Sequence, residues 1–310
     1  MKATSTTLDA ASATVVALGV FIALATWPGL ARAERDNPCH PRDHGFGPYE
    51  RWRALPSGGH VLLPQRGGTT RRGGVDLLVH FHGRDPIRKA LAPLGRGVVI
   101  AAIDLGVSSA PYHRRFARPE VFRRMLEEVR AAMRDHHGRR DLYLRRIGLS
   151  SWSAGFGATA QILRQPLGEK IDAVVLLDSL YGSFRDPKRR RGLKQERLRP
   201  FAAFARRAAA GDRFFFQSHS QVPTPDYAST RETSLWVLGE VGGRLRAADR
   251  KERLGLHLIE RYDRGAYRVR GYAGRDKPAH CGHLGLIRGV VGELLTRRRW
   301  RTPAARVRAR

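Results

Sequence analysis

The sequence predicts an α/β protein, a mostly parallel sheet with helices on both faces. Two observations carry that prediction. Short apolar runs rich in β-branched residues alternate with stretches of helical spacing across nearly all of residues 75–300. No stretch of 20–50 residues repeats within the chain, which sets solenoids and propellers aside.

Residues 34–60 are rich in Pro, Gly, His and charge, and the whole segment 34–74 reads as an irregular lead-in with at most a short strand. Residues 75–81 (VDLLVHF) make the first buried strand, ended by His82-Gly83. Residues 97–105 (GVVIAAIDL) make the second. At 119–136 the spacing of Val121, Met125, Leu126 and Val129 predicts a helix, with Pro119 and Glu120 in its first turn. A third strand covers 142–149, less clean because of Arg145 and Arg146, and a helix follows at 154–163. Residues 171–177 (IDAVVLL) are the fourth strand, and the basic run 188–199 reads as a solvated excursion. A helix at 195–210 stops at Gly211, and 213–217 (RFFFQ) is the fifth strand. Ser229 and Glu232 have capping-box spacing for a helix at 229–246. One or two strands fit 256–273, a final helix 281–299, and a basic, flexible tail 301–310.

The chain has 310 residues, 42% of them hydrophobic, which suffices for a sizeable core. Its formal charge is +29, and lysine holds only seven positions, so 50 of the 57 basic residues are arginine. The arginines are spread along the whole chain with no nucleic-acid reader module, so nucleic acid is not an expected partner. Codon bias explains such a distribution, and an anionic envelope surface is the alternative partner it suggests. Two cysteines exclude both a disulfide-rich miniprotein and a four-cysteine zinc site.

Lys2, the apolar stretch 14–27 and Ala31-Arg32-Ala33 together read as a signal peptide, 1–33, cut after Ala33. No later apolar run is long enough to span a bilayer, so the mature chain is expected in the periplasm or outside the cell. In an oxidising compartment Cys39 and Cys281 are expected to pair.

The chemistry gathers at the carboxyl ends of the strands. Ser151-Trp152-Ser153-Ala154-Gly155 lies between the third strand and its helix. A nucleophile held on so tight a turn needs small residues two before and two after it. Ser151 and Gly155 meet that need for Ser153, whereas a nucleophile at Ser151 would place Leu149 where a small residue belongs. A backbone N–H from the loop at Gly83 and the N–H of Ala154 are the expected oxyanion donors. His280 lies after the last strand and just before the final helix, where an imidazole can reach the nucleophile; His283, inside the helix, is the alternative base.

With HFHG closing one strand, SWSAG closing another, LLDSLYG the next, and a late histidine, residues 75–300 resemble the α/β-hydrolase superfamily, most of all a secreted bacterial serine esterase-like branch. The resemblance implies the α/β-hydrolase fold and a serine–acid–histidine triad in that chain order. It leaves the acid open. The strand at 213–217 runs into Gln217-Ser218-His219-Ser220, which holds no carboxylate. Asp178, at the preceding strand end, is the expected acid and Asp226 the alternative. The implied function is an exported serine hydrolase of a small or polymeric carboxylic ester, amides included. A non-catalytic protein of the same fold that binds an anionic cell-surface polymer is the alternative.

No cofactor or metal is expected. Gly155 and Gly157 lie in the turn with no Walker lysine after them, and His80, His82, His280 and His283 lack zinc-protease spacing. Trp152, Tyr181 and Phe184 are candidates for pocket walls.

Overall fold

The computed structural model describes residues 37–94, 98–297 and 300; the expected signal peptide and basic tail lie outside them. In chain order the elements begin with β1 (Arg53–Ala54), β2 (His60–Leu62), β3 (Gly74–Phe81), α1 (Arg84–Leu91), β4 (Val98–Ile103), α2 (Ser109–Phe116) and α3 (Pro119–His137). They continue with β5 (Tyr143–Trp152), α4 (Phe156–Ile162), β6 (Ile171–Leu177), β7 (Phe184–Asp186), β8 (Arg191–Leu193) and α5 (Arg199–Ala209). The last are β9 (Phe214–His219), α6 (Thr230–Gly239), β10 (Arg246–Lys251), β11 (His257–Arg264), β12 (Tyr267–Tyr272), α7 (Lys277–Gly285) and α8 (Ile287–Arg297).

One ten-stranded sheet runs β1-β2-β4-β3-β5-β6-β9-β12-β11-β10. The block from β4 to β12 is parallel, and the strands outside it are antiparallel. This is the expected architecture, and the period-two alternation of its central strands explains why helices cover both faces. In β3, Val75, Leu77, Val79 and Phe81 join one core with α2, α3, α4, α5 and α6. Leu78 points the other way, into a second core with Ile87 and Leu91 of α1 and Ile287, Val290 and Leu294 of α8. Each such side chain fully removed from water contributes about 1.5–3 kcal/mol.

Several elements differ from expectation. The lead-in supplies two strands to the same sheet, and Tyr49 within it is buried and donates to the Val98 carbonyl. Helices α1 and α2 were not expected. Both are one-sided eight-residue helices whose charged outer faces hide the apolar spacing. β5 continues past 149 to Trp152 because Ser150, Ser151 and Trp152 all pair with β6. Part of the basic excursion is a hairpin, β7 with β8, in which Arg190 pairs with Glu232 at 2.7 Å. The capping box at Ser229 forms, but α6 stops at Gly239, and 246–251 becomes an edge strand on β11.

The final helix divides into α7 and α8, and α7 begins earlier than expected. The Asp276 side chain accepts from the Ala279 N–H, and Pro278 sits in the first turn. His280 therefore lies inside a helix, not in the loop before one. Trp300, just before the tail, is buried.

Cys39 and Cys281 are joined as a disulfide, with Cα atoms 4.9 Å apart. It closes a loop of 242 residues and ties the lead-in to the helix that carries His280. A double Cys→Ser variant is expected to lose about 4 kcal/mol through a less constrained unfolded chain, lowering Tm by about 10 °C. Calorimetry of the oxidised and variant proteins checks this, and a Tm within 2 °C of the oxidised protein would contradict it. Among the described residues no helix is long and apolar enough to cross a membrane.

Candidate active site

The site is built where β3, β5, β6 and β9 end side by side. β5 leaves the sheet at Trp152 and turns at once into a short helical turn, Ser153–Gly155, leading into α4. The turn forces Ser153 to φ 48, a left-handed conformation that costs a non-glycine residue of order 1 kcal/mol or more. A hydrogen bond from Ser179 holds it there. Ser179 Oγ donates to the Ser153 carbonyl at 2.7 Å and lies 3.1 Å from Ser151 Oγ. Gly155 is obligatory, since a Cβ there would sit 2.1 Å from the Phe81 carbonyl oxygen. Ser153 is half-buried, whereas Ser151 is fully buried.

Asp178 follows β6 directly, also in a left-handed conformation, φ 40. Its carboxylate is buried and fully engaged. Oδ1 accepts from the Ser220 N–H (2.9 Å) and Thr230 Oγ (2.5 Å), and Oδ2 accepts from Ser220 Oγ (2.8 Å). His280 Nδ1 lies 2.6 Å from the same Oδ2. Burial alone would raise this carboxyl; His283, His280 and Thr230 more than offset it and hold it well below the usual carboxylate range. An ionised acceptor fixes the proton of His280 on Nδ1 and leaves Nε2 free to take another. The ring is also clamped by Trp152, which stacks on it at 5.0 Å and donates from its indole N–H to the His280 carbonyl at 3.2 Å.

The other expected residues stand in different surroundings. His283 is buried one turn further along α7, with Nδ1 2.8 Å from Ser218 Oγ, and does not meet the Asp178 carboxylate by hydrogen bond. Asp226 is exposed on the loop before α6 and makes no bond to His280 among the described residues. Ala154 N–H lies in the first turn after the elbow, among the donors that no intrahelical carbonyl reaches. Gly83 needs correction. Its N–H does not face an open site but donates to Asp104 Oδ1 at 2.7 Å, while the Arg84 N–H donates to Oδ2 at 2.9 Å. Phe184 is buried, with the Arg190 guanidinium over its ring at 4.9 Å.

The histidines at the carboxyl end of β3 have partners of their own. His80 bridges Ser150 Oγ (3.0 Å) and the His82 carbonyl (2.7 Å), so its Nε2 carries the proton and Nδ1 accepts from the serine. His82 stacks on Trp152 at 5.1 Å. Among the described residues no three metal-ligating side chains converge.

Sequence reasoning missed Asp104, Ser179, Ser220 and Thr230. Asp104 carried the clearest signal, a carboxylate at the carboxyl end of the apolar run VVIAAI. The other three are hydroxyl residues in polar loops, and only the packing of those loops gives them a task.

For a triad of Ser153, His280 and Asp178, Asp178→Asn is expected to lower turnover by about 10⁴-fold, because the amide stabilises the wrong tautomer of His280. Steady-state kinetics check this, and a loss under tenfold would argue that Asp178 is not the acid.

No family model and no curated protein matches the chain. Solved structures give distant likenesses. An uncharacterised protein from Capnocytophaga ochracea is 11% identical over 77% of this chain and 62% of its own, with TM-score 0.41. The siderophore hydrolase EstB from Aspergillus nidulans is 17% identical over 81% of this chain and 95% of its own, with TM-score 0.43. An acylaminoacyl peptidase from Pyrococcus horikoshii is 12% identical over 83% of this chain and 42% of its own, with TM-score 0.42. This chain thus spans less than two thirds of the first and third of these proteins. All three TM-scores fall below 0.5, and the chemistry of the site rests on this chain's own residues. A mostly parallel sheet with an antiparallel entry strand, and a serine on a strained strand-to-helix turn at the sheet's carboxyl edge, give the chain the α/β-hydrolase fold.

Proposed function

We propose that the protein is an exported serine hydrolase of the α/β-hydrolase superfamily, acting on a carboxylic ester through an acyl-enzyme. Ser153 attacks the carbonyl carbon, His280 takes its proton at Nε2 and returns it to the leaving alkoxide, and Asp178 orients His280. Water then repeats the sequence on the acyl-enzyme. The observation that carries this reading is the 2.6 Å bond between His280 and a buried, ionised Asp178, on the rim where β5 presents Ser153 at φ 48. Strain at a nucleophile and full satisfaction of an acid are costs and gains that a bare scaffold has no need of. Amides and polymeric esters fall within the same chemistry. The disulfide is compatible with an exported protein.

The arginine excess is proposed as a means of holding the enzyme to an anionic envelope. Arg246 and Arg261, exposed cross-strand partners at the outer edge of the sheet, would meet such a surface.

The test is covalent. A fluorophosphonate should label the wild-type protein, and peptide mapping should find the label on Ser153. A folded protein that neither labels nor hydrolyses p-nitrophenyl esters of two to eight carbons would overturn the proposal.

A further inference from the structure

We infer that Trp152 is a positioning residue that acts on His280 electrostatically as well as sterically: its indole face attracts the imidazolium that forms when His280 takes the Ser153 proton. The inference rests on the serine-hydrolase reading and deepens it. The two rings are stacked, with centroids 5.0 Å apart and planes 24° from parallel. An aromatic face is the negative part of the ring quadrupole, and indole holds a cation better than phenol or benzene does. As a general base, His280 is neutral before attack and charged during it. The attraction is therefore stronger in the transition state than in the ground state, which is the kind of interaction that raises kcat.

The second ring on this indole brings no competing charge. His82 also stacks on Trp152, with centroids 5.1 Å apart and planes 15° from parallel. Its Nδ1 lies 3.2 Å from the Tyr112 hydroxyl, which accepts from the Leu105 N–H at 2.9 Å and so keeps its own proton to give. Accepting at Nδ1 leaves His82 neutral. Burial acts in the same direction and lowers its pKa in spite of Asp104, 3.8 Å away. The indole is also fixed in place. Its N–H donates to the His280 carbonyl at 3.2 Å, and its backbone pairs with Leu177 of β6. Gly83, left-handed at φ 96, gives it room. A Cβ there would crowd Trp152 Cε3 at 3.2 Å and Leu284 Cδ1 at 3.1 Å. The glycine of the His82-Gly83 pair thus makes space for the stack while its N–H serves Asp104.

As the Oγ–C bond forms, the Ser153 proton passes to His280 Nε2 and the carbonyl π pair moves onto oxygen. The new positive charge spreads over a ring whose Nδ1 lies 2.6 Å from Asp178 and whose face rests on Trp152. The carboxylate meets the imidazole in its plane and the indole meets it from above, so the two do not compete for space. On collapse the pair returns, the C–O bond to the leaving alkoxide breaks, and His280 delivers the proton to it and is neutral again.

The experiment places mono-, di- and trifluorotryptophan at position 152 by site-specific incorporation, beside Trp152→Phe and Trp152→Leu. Fluorine drains charge from the indole face while keeping its shape and its N–H. With each added fluorine, kcat on a p-nitrophenyl ester and the rate of fluorophosphonate labelling should fall together. The trifluoro protein should reach about tenfold below wild type, with KM within about threefold and Tm within about 3 °C. Trp152→Leu should lose about 30-fold in kcat, and Trp152→Phe, which keeps a face, should lie between it and wild type. A rate that stays flat across the fluorinated series, or a series that moves KM in place of kcat, would overturn the inference alone, whatever Trp152→Leu does. A wild-type protein with neither turnover nor labelling would sink the hydrolase reading and this inference with it.

Discussion

Ser153→Ala is expected to lower kcat for ester hydrolysis by about 10⁴–10⁶-fold while leaving the fold intact. The magnitude follows from how a triad works. Serine, histidine and acid act as one unit, so loss of the nucleophile removes nearly all of their joint effect. What survives is the residual catalysis of binding and oxyanion stabilisation alone. The fold should survive because alanine keeps the Cβ, and with it the same left-handed strain at φ 48. Ser153→Gly separates the two costs. Glycine adopts that conformation freely, so the variant should be equally inactive yet more stable by about 1 kcal/mol. Urea unfolding of the three proteins, beside their initial rates, checks both statements. A Ser153→Ala variant retaining a tenth of wild-type turnover would mean that another group attacks the ester.

Acid should destabilise the protein well above the pH at which carboxylates titrate. His80, His219 and His283 are all buried, and burial lowers each to about 4. The sign follows from linkage. In the unfolded chain each would titrate near 6.5. Between pH 6.5 and 4 the unfolded state therefore binds protons that the native state refuses, and stability falls as pH falls. At pH 5 the loss is about 2 kcal/mol for each of the three. Asp178 acts in the same direction but lower. Its depressed native pKa contributes stability that is present above its unfolded value and lost as pH drops below about 4. Urea midpoints at pH 7.5 and pH 5 measure the histidine part. Stabilities within 1 kcal/mol of each other would mean that at least one of these rings is charged or wet in the native protein. His219 is the most exposed to this test, because both of its ring nitrogens lack a hydrogen-bond partner and Glu260 stands 3.5 Å away.

Much of the framework could be read without coordinates. Strands such as 75–81 and 171–177 are short, apolar and bounded by turn residues, and their neighbours have helical spacing. Those are local properties, and local physics suffices to place them. The elbow was legible for the same reason, since the demand for small residues at 151 and 155 comes from the turn itself. Errors gathered where a local pattern competes with a distant partner. The helix expected over 229–246 stops at Gly239, and residues 246–251 pair with β11 at the sheet edge. His280 was placed in a loop because the cap at Asp276 carries no apolar signal.

The sequence by itself determined the alternating architecture, the serine at the turn and the short set of carboxylates and histidines from which a site could be made. Only the tertiary structure shows which of them meet. Asp178 and His280 stand 102 residues apart in the chain and 2.6 Å apart in space. Asp226 is a carboxylate of the same kind, and its exposed loop keeps it out of the site. The commitment of Gly83 to Asp104 is likewise invisible along the chain. Hydrogen bonds reach about 3 Å and depend on direction. Which donors meet which acceptors is therefore set by how strand ends stack side by side, a property of the folded sheet that no residue carries alone.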